Sequence, residues 1–277
     1  MTSIQFGATF AKQLFPFVGT AGSSTLRLLL ATVILFVVWK PWRGKISRAE
    51  IRSIALYGIS LGSMNLLFYM ALARIPLGIG VALEFTGPLA VSLASSRRIG
   101  DVFWAVLAVT GILLLMPVSD ASTALDPIGV GYALAAGVAW ALYILFGQRA
   151  GASMHGGRAT SLGMLVATLV VLPIGVFQEG AKLLDLKLFP IAFSVALLGS
   201  AVPYTLEMFV LKKLPAKTFG ILMSLEPAIA AISGLFLLNE RLSLVQWSAI
   251  GCIIAASTGS SLSMRHDTVP PLIEAPL

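Results

Sequence analysis

Nine apolar runs, each close to the length that crosses a bilayer, decide what this chain can fold into. They cover roughly residues 19–39, 50–73, 76–96, 101–118, 127–147, 159–178, 188–211, 216–238 and 243–263, with short connections between them. A helix needs about 20 apolar residues to span the hydrocarbon core. Of the 277 residues, 57% are apolar and 11% charged, where a soluble domain carries about 25% charged residues. The sequence therefore predicts an all-α integral membrane protein. Ahead of the first run, residues 1–11 make half a span, ended by Lys12.

The two halves of the chain are related. Arg74-Ile75-Pro76 leads through apolar residues to Glu84-Phe85-Thr86-Gly87-Pro88, and Lys213-Leu214-Pro215 leads through apolar residues to Glu226-Pro227. The proline pairs have the same spacing and lie 139 residues apart. The repeat implies ten transmembrane helices: 1–119 as helices one to five, 127–264 as helices six to ten, and a disordered tail at 265–277. The first helix is then cut short at Met1. With the N-terminus in the cytoplasm, thirteen Lys and Arg residues fall in cytoplasmic connections. Lys12, Arg74, Lys182, Lys187 and Arg241 make five on the other side. That bias orients the helices and puts both termini in the cytoplasm. An odd number of helices per repeat inverts one half against the other, a common transporter architecture.

Four charges remain inside the predicted spans: Arg27, Glu84, Glu207 and Glu226. Each costs about 2.5–3.5 kcal/mol to insert, and a membrane scaffold gains nothing from two such acids in duplicate. A salt bridge from Arg27 to one glutamate would tie helices together, but one cation cannot satisfy three anions. Burial disfavours the charged form of a carboxyl, so Glu84, Glu207 and Glu226 are candidate proton carriers, and the same groups can hold a substrate ammonium. Proline donates no backbone hydrogen bond. Pro88, Pro227 and Pro203 therefore release the carbonyls of Glu84, Met223 and Gly199. Freed carbonyls at membrane depth line a cavity or pack in protein. Asn65 and Tyr69 share one helix face, as do Tyr204 and Glu207; with Trp140, Tyr143 and Gln5 they complete a candidate polar and aromatic pocket.

Small residues recur at Gly58 and Gly62, at Ala133, Gly137 and Ala141, and at Gly251, Ala255 and Gly259. This spacing lets helix backbones approach, within one chain or across a homodimer. The net charge of +7 is accounted for by loop residues that orient helices, so no nucleic-acid partner is expected. Cys252 is the only cysteine, and His155 and His266 fall in connections. No metal cluster, catalytic triad or phosphate loop is present in the sequence, so no cofactor and no enzymatic activity are expected. A membrane enzyme would need such a cluster, and uphill transport by this chain would draw on an ion gradient.

Several longer stretches resemble the drug/metabolite transporter superfamily, EamA type. They include Trp39-Lys40-Pro41-Trp42-Arg43, Ser60-Leu61-Gly62 with Met64-Asn65 and Phe68-Tyr69, and Pro76 through Pro88. In the second half they are Gly147-Gln148-Arg149-Ala150-Gly151, Pro203-Tyr204 with Leu206-Glu207-Met208, and Leu222-Met223-Ser224 with Glu226-Pro227-Ala228. The resemblance implies an inner-membrane exporter of small neutral amino acids such as threonine or homoserine, working by proton antiport. Export of other metabolites or drugs is the alternative within the superfamily.

Overall fold

The computed structural model describes residues 2–43, 46–94, 100–115, 125–154, 156–204, 206 and 223–263. Glu207 lies outside the described residues, as do Lys213 and Pro215 of the second repeat copy and the tail after 263. Every regular element among the described residues is helical. They are α1 (Thr2–Trp39), α2 (Arg48–Leu72), α3 (Leu77–Glu84), α4 (Thr86–Ala94) and α5 (Gly100–Leu115). Then come α6 (Pro127–Ser153), α7 (Gly156–Glu179), α8 (Phe189–Ala196), α9 (Glu226–Leu237) and α10 (Leu244–Ser263). Among the described residues, five segments are long and apolar enough to cross a membrane: Thr2–Trp39, Arg48–Leu72, Pro127–Gly151, Gly156–Leu184 and Leu186–Tyr204. The chain is a multi-pass helical membrane protein.

The first element is two helices in one. Val18 and Gly19 leave helical geometry, with Gly19 at φ 56° and ψ −175°. Gly7 and Arg27 both approach Gly199, although twenty residues of straight helix would part them by about 30 Å. The chain therefore folds back at Gly19, and α1 has limbs 2–17 and 20–39. Lys12 does not end a half-span, as the sequence predicts; the first limb runs through it to residue 17. Its ammonium is tolerated because Glu240 takes it up. The second limb then pairs antiparallel with α7: Thr32 meets Thr168, Ser161 reaches Leu35 O, and Gly157 lies against Trp39.

Local chemistry sets the helix ends. Ser47 and Glu50 exchange reciprocal bonds of 3.2 and 2.6 Å at the start of α2, a capping box that satisfies two orphan N–H groups. Ser243 and Gln246 do the same before α10. Asp126 accepts from Ile128 N at 2.8 Å and precedes Pro127 at the first turn of α6. Asn239, at φ 55°, closes α9 and turns Glu240 N back to Gly234 O at 3.0 Å.

Many of the small residues serve contacts within the chain. A Cβ on Gly58 would meet Gly163 O at 2.6 Å, and one on Gly62 would meet Ala167 O at 2.9 Å, which locks α2 to α7. Gly78 backs onto Ala231, and Gly234 faces Leu77, so α3 and α9 cross antiparallel. That crossing carries Glu84, at the end of α3, and Glu226, at the start of α9, to the same end of the pair.

Candidate functional site

The break between α3 and α4 follows from sequence. Pro88 cannot donate to Glu84 O, so α3 stops at Glu84, and Thr86 Oγ1 caps Leu83 O at 2.6 Å. The released Glu84 carbonyl abuts Gly137 of α6, where a Cβ would sit 2.8 Å from it. Gly87 approaches Gly137 O still more closely. The freed carbonyl thus packs against a neighbouring backbone, and the Glu84 side chain turns to a cavity.

That cavity is narrow, with a volume of about 70 Å³. Its walls carry Arg27, Asn65, Glu84, Trp140, Tyr143, Tyr204 and Glu226. Ile4, Ala8, Met64, Phe68, Gly199 and Met223 complete them. Gly199 and Met223 are marked in the sequence by their freed carbonyls, whereas Ile4, Ala8, Met64 and Phe68 give no site signal, being apolar residues in an apolar chain. Arg27 and Glu84 are each 6% exposed and Glu226 4%, so three ionisable side chains converge where water is scarce.

Gln5 and Tyr69 stand behind this wall. Gln5 Nε2 donates to Glu226 Oε1 at 3.2 Å, which fixes the carboxylate from the first limb of α1. Tyr69 is fully buried and its hydroxyl accepts from Arg27 Nη1 at 3.1 Å. The Arg27 guanidinium also lies 5.4 Å from the Tyr69 ring centre. Asn65 donates to Leu61 O at 2.8 Å, one turn back, which orients its amide. Phe85 meets Trp140 edge-on at 5.6 Å, and Tyr57 meets Tyr143 at 5.0 Å, so both cavity aromatics are braced from behind.

Neutral partners, and no glutamate among the described residues, hold Arg27. Arg27 Nε donates to Ser200 Oγ at 2.8 Å, and Nη2 donates to Gly199 O. No carboxylate lies within 4.0 Å of Arg27 among the described residues. Gly199 O is the carbonyl that Pro203 leaves without its helical donor. It sits in a π-helical turn, Leu197–Ala201, that continues α8. Ser200 is a site neighbour that the sequence did not disclose, since its role depends on lying opposite a residue 173 positions away.

Outside the cavity lining, Lys12 pairs with Glu240, whose other oxygen accepts from Leu77 N at 2.7 Å. Leu14, Leu72, Leu77, Val81, Val195 and Ala230 belong to one buried apolar cluster.

The EamA-like transporter family matches residues 127–262. Threonine/homoserine exporter RhtA of Escherichia coli (strain K12) is 50% identical over 268 residues, covering 97% of this chain and 90% of the relative. Its counterpart of the same name in Salmonella typhimurium (strain SL1344) is 49% identical over 96% of this chain and 90% of the relative. The uncharacterized inner membrane transporter YedA of Escherichia coli (strain K12) is 26% identical over 89% of this chain and 82% of its own length. A crystal structure of a protein 15% identical superposes with a TM-score of 0.56 over 94% of this chain and 96% of that one, which speaks for the fold alone. A helical membrane chain with buried charges around a central cavity, half identical to named exporters along nearly its whole length, belongs to the EamA-like transporter family.

Proposed function

We propose that this chain is an inner-membrane secondary transporter that exports small neutral amino acids, threonine- or homoserine-like, in exchange for protons. The observation that carries this reading is the cavity where Glu84, Glu226 and Arg27 meet. A zwitterion needs one group of each sign. Arg27 meets its carboxylate, and Glu84 takes its ammonium or, in the return step, a proton. Glu226, steadied by Gln5, and Glu207 are the further proton carriers. Asn65, Tyr204, Trp140 and Tyr143 meet the side chain and its hydroxyl. The names of the half-identical relatives support the substrate class.

The same reading includes a ten-helix fold of two inverted five-helix repeats, 1–119 and 127–264, with both termini cytoplasmic. The antiparallel crossing of α3 and α9 at Gly78 and Ala231 and the bias of basic residues between connections support it.

Glu84→Gln tests the function. It keeps size and removes the titratable charge. The variant is expected to fold with unchanged yield and melting in detergent, because no salt bridge is lost. In proteoliposomes it is expected to lose threonine or homoserine flux driven by a pH gradient. Gradient-driven flux equal to the wild type would remove Glu84 from the site.

A further inference from the structure

We propose that Pro203, Ser200 and Tyr69 are positioning residues for the substrate's carboxylate: they hold the Arg27 guanidinium without neutralising it. The inference rests on the reading of the cavity as an amino-acid site. It adds how the single cation is kept available and why a proline stands where it does.

A guanidinium has five N–H donors. Three are used in the structure, by Ser200 Oγ, the Tyr69 hydroxyl and Gly199 O. All three acceptors are neutral, and Arg27 faces the cavity beside Gly199. The remaining two N–H groups suit a carboxylate, which arginine recognises with two parallel bonds. An acidic partner in place of Ser200 would neutralise the guanidinium and weaken its pull on the substrate's carboxylate. A neutral cradle fixes the plane and leaves the charge.

The Gly199 carbonyl is available for a local reason. In a regular helix residue 203 would donate to it, and Pro203 has no N–H. The turn Leu197–Ala201 is wound as a π-helix, a local irregularity that often marks functional sites. Pro203→Ala restores the donor and sets up a competition between the helix and Arg27 for one carbonyl. Ser200→Ala deletes one acceptor atom from a fully buried position. Tyr69→Phe removes the hydroxyl but keeps the ring under the guanidinium.

The test compares threonine with 2-amino-1,3-butanediol, its analogue with an alcohol in place of the carboxylate. Uptake kinetics of threonine, and inhibition by the amino alcohol, are measured in proteoliposomes for the wild type, Arg27→Gln, Ser200→Ala, Tyr69→Phe and Pro203→Ala. Melting in detergent reports folding for each. We expect Ser200→Ala and Pro203→Ala to raise the KM for threonine about tenfold, the worth of one charge-assisted hydrogen bond. Maximal rate and inhibition by the amino alcohol should stay as in the wild type. Arg27→Gln should raise KM further. If Arg27→Gln raises KM while Ser200→Ala, Tyr69→Phe and Pro203→Ala do not, the cradle is wrong and the carboxylate role of Arg27 stands. An unchanged KM in Arg27→Gln would overturn the carboxylate role itself. Equal weakening of threonine and the amino alcohol would show a general packing effect and overturn the proposal.

Discussion

At the scale of single residues, the cavity depends on a few positions where backbone comes close to backbone. Gly87 is the tightest, since a Cβ there would run into Gly137 O. Gly87→Ala is expected to destabilise by about 1–3 kcal/mol, the usual cost of overpacking. The same change should push Glu84 off α6, so ligand-induced stabilisation should fall along with the melting temperature. Gly19 is constrained by its positive φ of 56°; the Glu179 carboxylate that a Cβ would meet is the end of a flexible side chain and can move aside. Gly251, in contrast, has nothing among the described residues within 4 Å of a Cβ and lies inside α10, so Gly251→Ala should not lower melting. These three glycines look alike in the sequence. What separates them is backbone conformation and the neighbouring helix, which hydropathy and spacing do not name.

Between elements, charges at one end of the bundle tie segments distant in the chain. Lys12 and Glu240 have side chains only 19% and 14% exposed, and Glu240 also accepts the first N–H of α3. Removing either partner strands the other in a half-buried site. Lys12→Met or Glu240→Gln is expected to cost about 1–3 kcal/mol, and the double variant less than the sum. A double-mutant cycle in detergent melting checks this. Asp126, which caps α6, and Arg74, which follows α2, form a more exposed pair at 2.7 Å. The Arg74 hydrogen bond, then the Ile128 N–H, hold the Asp126 carboxyl below its usual range. The folded state therefore binds fewer protons there than the unfolded state. Its stabilising effect is present above about pH 4 and fades as pH falls through the depressed native value. Asp126→Asn keeps a capping oxygen, so its melting should match the wild type more closely at low pH than at pH 7. A gap that stays constant between those pH values would count against this pair as an acid-sensitive tie.

For the whole molecule, the open question is orientation, which a cysteine scan addresses. Arg43 and Lys182 are both exposed and described. In a Cys252→Ser background, Arg43→Cys is expected to be shielded in intact cells and Lys182→Cys to react with an impermeant thiol reagent. Equal reaction at both would overturn the proposed inverted repeat.

The sequence by itself determined the solvent, the helical class and which side chains are chemically conspicuous. Arg27, Glu84 and Glu226 stand out because a charge in a bilayer-length apolar run is costly whatever the fold. Pro203 and Pro88 marked freed carbonyls because a missing N–H is a property of one residue. Tertiary structure decided what each feature meets. It turned α1 back at Gly19, which made Lys12 a partner of Glu240 and not the end of a helix. It gave the Gly199 carbonyl to Arg27 and the Glu84 carbonyl to Gly137, although both arise from the same proline rule. It set Ser200, and no described carboxylate, against the guanidinium. Local composition fixes the cost of burying a group, whereas its partner is fixed by which helices cross, and those crossings join residues far apart in the chain.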